Sequence, residues 1–374
     1  MKIAFLLTHV PDPRMNKRIK ELKKENQVTV FCVRRKSSDI WDPVFTDIKY
    51  IILDEDLPVS QKIGRRLFST FKVLRRMFEF LKNNSFDILY ADGFEALLAA
   101  AKYKQKNSNI KVIYEVADIR EIFLVKNKGK IKRSVINGIK NLEKKSFKNV
   151  DGLVITSEEF YNKYYYKLIT KEKVLFIPNI PDVSVFKNYK KKEKTKFTIG
   201  FIGGIRYLNQ MKMLVRCAEQ AECEVVFSGA GGTLHDMNEI QNFCKDKNNV
   251  TFTGKYNYDN DIARLYSNVD CIFAVYDADN PNVQIALPNK LYEAIYCELP
   301  IIVAKDTYLD EVVTGLGVGI SVSHKNDNEL FETLKKLKED KDYYDGIVDC
   351  CKESKEIINL EFYNETLKEY ILNI

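Results

Sequence analysis

The chain has 374 residues, 45% of them hydrophobic and 30% charged, with a net charge of +7 and a pI of about 8.7. That composition fits a globular protein of two domains, each able to bury its own core, and excludes a disordered or fibrous chain. The charge is too mild to imply nucleic acid without a motif. The eight cysteines show no C-x-x-C pairing, and no apolar run reaches the roughly 18 residues that span a bilayer. Met1-Lys2 runs straight into a strand, so a reducing cytoplasm is expected.

Apolar runs predict strands over 2–7, 27–33, 87–90, 111–115 and 152–156. A Pro-bearing loop at 9–14 follows the first of these, and helical spacing covers 16–24, 61–82, 94–104 and 130–147. Within 61–82, Ile63, Leu67, Phe71, Leu74, Phe78 and Leu81 form one stripe beside a basic face. Behind the lysine-rich run 187–196 the pattern restarts. Strands are expected at 197–202, 224–228, 250–253, 271–275, 300–303 and 319–322, helices at 208–220, 233–246, 259–268, 289–297 and 327–339, and one or two helices in 342–374. Alternating strands and helices predict an α/β protein with mainly parallel sheets, whose ligands bind at the carboxyl ends of strands. The expected division is a first domain over 1–185, a linker over 186–196, a second domain over 197–350, and tail helices over 351–374 packing back toward the first domain.

Chemistry concentrates in the second half. In FTIGFIGGIRYLNQMKMLVRCA, residues 197–218, a strand ends in Gly203-Gly204 and a helix carrying Arg206 and Lys212 follows. Backbone N–H groups and a helix N-terminus make an anion site there, and two cations suggest a diphosphate. In LPNKLYEAIYCELPIIVA, residues 287–304, Pro288 opens a helix that sets Lys290 and Glu293 on one face. The Lys suits a phosphate and the Glu two ribose hydroxyls, although a surface Glu–Lys pair has the same pattern. Thr156-Ser157 and Pro178-Asn179, each after a predicted strand, place small polar groups at a cleft or serve as ordinary caps and turns.

Taken in order, the N-terminal strand, E-K-x-S-F-x-x-x-D-G-L-V-I-T-S, the I-P-N turn, G-G-x-R with a Lys six residues on, and P-N-K-L-Y-E-A resemble the retaining glycosyltransferases of family 4, with the GT-B fold. The resemblance implies two Rossmann-like domains with a cleft between them, the second binding a nucleotide sugar and the first its acceptor, and catalysis without a metal or a cofactor. Arg206 and Lys212 match the pair that holds the donor diphosphate, and Glu293 matches the second Glu of the E-x7-E motif, which holds the ribose. Ile285 stands where the first Glu belongs, with Asn289 and Lys290 as its compensation. Ala117-Asp118 replaces a His that many relatives carry, leaving Asp118 and Arg120 as polar candidates.

The donor set is thus Gly203, Gly204, Arg206, Lys212, Gly229, Lys255, Tyr256, Asn289, Lys290, Leu291 and Glu293, with a UDP-sugar expected ahead of a GDP-sugar. The acceptor set is His9, Asp12, Arg14, Asp92, Asp118 and Arg120, and Arg206, Lys212 and Asp118 carry the catalytic expectation. The acceptor is a saccharide or a lipid-linked saccharide of surface-polysaccharide assembly. The basic helix 61–82 suits an anionic membrane surface or, equally, docking on the sheet. Rival readings are a nucleotide-sugar epimerase on the same fold and a nucleotide-sugar-binding protein without turnover, which Ile285 keeps open. A dehydrogenase lacks its G-x-G-x-x-G, and Asp277-Ala278-Asp279 reads as a loop turn rather than the metal motif of another transferase fold.

Overall fold

Parallel strands buried on both faces, KIAFLL and its neighbours, build each half of the protein. The computed structural model describes residues 1–35, 41–55, 63–119, 130–230, 232 and 234–374. It divides into one unit of Met1–Pro178 with Glu361–Ile374 and a second of Asn179–Leu360.

In unit 1 the strands β1 (Lys2–Leu7), β2 (Gln27–Arg34), β3 (Lys49–Asp54), β4 (Ile88–Asp92), β5 (Lys111–Val116), β6 (Gly152–Ile155) and β7 (Val174–Phe176) form a parallel sheet of order 3-2-1-4-5-6-7. Its helices are α1 (Pro13–Leu22), α2 (Ile63–Lys82), α3 (Phe94–Lys104) and α4 (Lys130–Phe147). Unit 2 carries β8 (Thr198–Ile202), α5 (Leu208–Gln220), β9 (Glu224–Ser228), α6 (Leu234–Phe243), β10 (Val250–Gly254), α7 (Tyr258–Ser267), β11 (Cys271–Ala274), α8 (Asn289–Tyr296), β12 (Ile301–Ala304), α9 (Tyr308–Leu316), β13 (Gly319–Val322), α10 (Asp327–Glu339) and α11 (Lys341–Glu353). Its sheet order is 10-9-8-11-12-13. The two sheets repeat one winding, so each opens a switch-point crevice beside its first strand, between β1 and β4 and between β8 and β11.

Three details depart from the sequence expectation. The run expected as a linker, 186–196, is part of unit 2: Phe186 is buried against Tyr266 and Tyr296, and Tyr189 donates to the Cys297 carbonyl at 2.6 Å. The second unit runs past its expected end at 350 to Leu360, and α12 (Leu360–Asn373) then sets Leu367 and Ile371 into the core of unit 1. The apolar stripe assigned to α2 does not all face inward. Of its members Leu81 is buried, Leu74 and Phe78 are half-buried and Phe71 is 68% exposed, while the side chains of Ile63 and Leu67 lie outside the described residues. The inner face instead carries Val73, Met77 and Phe80, and Phe68 is 73% exposed.

Leu367 is fully buried among unit 1 core residues. Leu367→Ala is expected to destabilise unit 1 by about 2–5 kcal/mol. In urea unfolding, the transition of unit 1 should fall to lower denaturant while that of unit 2 stays in place.

Candidate functional site

The sharp turn after β8 requires glycine. Gly203 has φ +140° and Gly229, at the end of β9, has φ +144°; a Cβ on Gly229 would lie 2.0 Å from the Gly203 carbonyl oxygen. The turn is pinned by Gly203 N–H donating to Ser228 O and Ile205 N–H to Ala230 O, both at 2.8 Å. Gly203 therefore has no amide to offer a ligand. Gly204 N–H has no partner among the described residues.

Two helices begin at this crevice without a side-chain cap. Tyr207, the N-cap of α5, is held in the left-handed region at φ 58°, and Pro288 precedes α8. At such a helix start the first N–H groups favour an anion, although Gln210 N–H already bonds Tyr207 O at 3.0 Å and Leu291 N–H bonds Pro288 O at 3.2 Å. Lys290, in the first turn of α8, directs its ammonium to the glycine turn: a Cβ on Gly203 would stand 3.0 Å from Lys290 Nζ. It is steered there by the Phe201 ring, 4.4 Å from its centroid, and by donation to Tyr276 OH at 2.9 Å. Arg206 is exposed beside Gly204 and has no ion pair or hydrogen bond among the described residues.

Other expected donor residues are placed differently. Lys212 sits a turn into α5, where it pairs with Glu239 of α6 at 2.6 Å and lies over the Phe243 ring. Glu293 is 3% exposed, and its oxygens accept from Tyr258 OH and Tyr266 OH, each at 2.6 Å. Burial and the facing carboxylate raise both phenols above their ordinary value, so they remain donors. Leu291 is a core residue, and the N–H of Gly229 is taken by Gly254 O at 2.9 Å. Lys255 is exposed and Tyr256 half-buried just past β10, and Asn289 is half-buried in the first turn of α8. Ile285 is buried. Asp277 and Asp279 meet His324 beyond β13: His324 Nδ1 lies 3.2 Å from Asp277 and accepts from Ala278 N–H at 3.0 Å, while Lys325 pairs with Asp279. Asp279 N–H donates to Asp277 Oδ1 at 3.1 Å, as a loop turn requires.

The unit 1 crevice gathers His9, Asp12, Arg14 and Asp92, four of the expected acceptor residues. Asp12 caps α1 by accepting from Met15 N–H at 2.8 Å, with Pro13 in the first turn. Arg14 projects from α1 with its fork split, Nη2 to Asp92 at 2.6 Å and Nη1 to Glu115 at 2.6 Å. Glu115 was given no site role in the sequence reading, nor were Arg18 and Tyr90, which also bond to it. Its place as the last-but-one residue of a strand buried from Val112 on was the available signal. Burial opposes the charge of Glu115, but Arg18, Arg14 and the Tyr90 hydroxyl hold its carboxyl below the usual range. Burial likewise opposes a charge on His9, yet Asp12 and Asp92 outweigh it and lift the imidazole above its usual value. Asp118 is exposed just past β5, and Arg120 lies outside the described residues. Thr156 and Ser157 are buried.

Residues 182–350 match the family model described as glycosyl transferases group 1. No curated protein matches the sequence. Among solved structures, the fold is similar to that of HepE from Anabaena in complex with UDP (16% identity, TM-score 0.70, 100% of both chains covered). It is also similar to sucrose-phosphate synthase from Thermosynechococcus elongatus (13% identity, TM-score 0.76, covering 100% of this chain and 98% of that one). A UDP-N-acetylglucosamine 2-epimerase is similar too (15% identity, TM-score 0.59, covering 93% and 90%). The architecture is that of the GT-B glycosyltransferases.

Tyr266→Phe removes one of the two donors to Glu293 and keeps the ring. It is expected to cost about 1–3 kcal/mol of unit 2 stability, the penalty for a buried acceptor left unpaired. Urea unfolding checks this, and an unchanged midpoint would show that the carboxylate is not held in this way.

Proposed function

We propose that the protein is a glycosyltransferase that takes a sugar from a nucleotide-diphosphate donor, a UDP-sugar ahead of a GDP-sugar, and passes it with retention to a saccharide or lipid-linked saccharide of surface-polysaccharide assembly. The single observation that carries this reading is the seat around Gly203. Lys290 Nζ points at the turn, Arg206 beside it has no ion pair among the described residues, and two helix N-termini without a side-chain cap begin there, at a sheet switch point. Such a seat fits a diphosphate. The group 1 match to residues 182–350 and the motif order support transfer over the other activities this fold hosts. Retention and the pathway rest on the family 4 resemblance.

In this reading, the Gly204 N–H, the helix ends, Arg206 and Lys290 hold the diphosphate and meet the charge that grows on it as the sugar leaves. The two side-chain cations fill the electrophilic role without a metal ion. Lys212 supports the site through Glu239 and α6, and the Tyr258–Tyr266–Glu293 core fixes α8, which presents Lys290. The base is expected against the segment after β10, at Tyr256.

A lipid-linked acceptor favours work at a membrane surface. No helix among the described residues is long and apolar enough to cross a bilayer. The outer side of α2 instead exposes Phe68 and Phe71 beside Lys72, Arg75 and Arg76, with Glu79 shared by the two arginines. Exposed rings among cations suit insertion at an anionic interface.

Thermal shift and turnover test the donor site. UDP should raise the melting temperature well above UMP or uridine. Arg206→Ala and Lys290→Ala should each weaken UDP binding about 10–100-fold, the worth of one charge-assisted contact of roughly 1.5–3 kcal/mol. Lys212→Ala should weaken it less. Acceptor-dependent UDP release that persists in EDTA supports transfer, whereas isomerisation of the donor without acceptor would favour an epimerase and binding without turnover a non-enzyme. For the membrane, Phe68→Ser with Phe71→Ser should abolish flotation on phosphatidylglycerol vesicles at low salt. A wild-type chain that stays at the bottom of the gradient ends that part of the proposal.

A further inference from the structure

The unit 1 crevice is charged, buried and nearly, but not fully, self-satisfied. Arg14, Arg18, Asp92 and Glu115 are each less than a tenth exposed. Glu115 has its oxygens occupied, Oε1 by Arg14 at 2.6 Å and Oε2 by Tyr90 OH at 2.5 Å and Arg18 at 3.4 Å. Asp12 Oδ1 caps α1, and Arg14 is committed to Asp92 and Glu115. What remains is His9 Nε2, a buried atom without a hydrogen-bond partner. It lies 3.8 Å from Asp12 Oδ2 and 4.0 Å from Asp92 Oδ2.

Those gaps exceed a direct hydrogen bond but admit one oxygen about 2.8 Å from each side. The seat is mixed in character. Two carboxylates repel an anion, while His9 and Arg14 repel a cation. A neutral group that both donates and accepts avoids either repulsion, and a hydroxyl, with one proton to give and lone pairs to receive, is such a group. The crevice lies at the carboxyl ends of β1 and β4, where Gly93 approaches Thr8 so closely that a Cβ would fall 2.3 Å from its hydroxyl oxygen.

We propose that His9, Asp12 and Asp92 form a subsite for one hydroxyl of a pyranose, whose oxygen accepts from His9 Nε2–H and whose proton is donated to Asp92 or Asp12. Glu115 is its positioning residue. It touches no ligand but locks the Arg14 fork, and Arg14 in turn fixes Asp92. This rests on the reading of unit 1 as the saccharide-acceptor unit. The groups facing His9 are Asp12 and Arg14 from the start of α1 and Asp92 from β4, with Arg18 and Glu115 behind them. Two arginines against three carboxylates leave one negative charge for a His9 imidazolium to balance.

The test uses the full chain with labelled histidine. Its three histidines make His235 and His324 internal references. The probes are the methyl glycosides of glucose, galactose, mannose and N-acetylglucosamine. At least one should shift the His9 imidazole signals saturably and leave the other two unmoved. Asp92→Asn should weaken that binding about 10–100-fold, the range for a hydrogen bond to a charged group. In the free protein His9 should titrate above its usual 6.5. Glu115→Gln should lower that midpoint, a readout that loss of a merely structural contact elsewhere would not move. If Glu115→Gln does not fold, Asp92→Asn carries the test. Should no glycoside move His9 while UDP still stabilises the chain, the seat holds only water and the subsite is wrong. Unchanged glycoside binding in Asp92→Asn sinks it equally. Loss of the UDP response as well would instead condemn the broader reading of the chain.

Discussion

The winding of the two sheets is the constraint on which the rest depends. In each unit the chain leaves its first strand to one side and later returns to pair on the other, so the carboxyl end of that strand is bare of crossing connections. Backbone and side chains can enter only there. Each crevice is marked by a glycine whose missing side chain lets two segments close up, Gly93 against Thr8 and Gly229 against Gly203. The same topology thus creates two crevices, and the residues delivered to them give each its own chemistry.

The sites handle charge in opposite ways. In unit 2 the turn has the exposed Arg206 and the half-buried Lys290 beside it, neither of them paired with a carboxylate among the described residues. In unit 1 the charges are buried, where an unpaired ion would cost several kcal/mol, so nearly every oxygen and nitrogen has a partner fixed by the fold. Stability there depends on protonation. Glu115 is held below its unfolded value, so its contribution is present above the ordinary carboxylate range and fades as pH falls through the folded value. His9 is raised, so its contribution is complete below about 6.5 and is lost as pH climbs past the folded value.

Much of this was legible in the residues. Every interior strand was predicted, because runs such as IAFLL and IIVA are buried on both faces. The strands that escaped notice, KYIILD and VLF, are the outermost ones of the first sheet, half-buried and, in the case of VLF, only three residues long. Glycine and lysine spacing pointed to the turn after β8 but not to which lysine reaches it. Helical periodicity places Lys212 and Lys290 alike near a turn. Only packing reveals Glu239 beside one and the Phe201 ring beneath the other. The same limit applies to Glu293, whose tyrosine partners lie 35 and 27 residues away. The apolar stripe of α2 left its buried side open, because a 100° apolar arc does not say which side meets the sheet.

The membership of α12 in the first unit bears on biosynthesis. Synthesis runs from the amino end, and domains fold as units while it proceeds. Unit 2 is continuous in sequence, but the core of unit 1 lacks Leu367 and Ile371 until the last 14-residue helix leaves the ribosome. The first unit made is therefore the last one finished, and a nascent chain stalled before α12 would carry an open apolar groove exposed to chaperones and proteases.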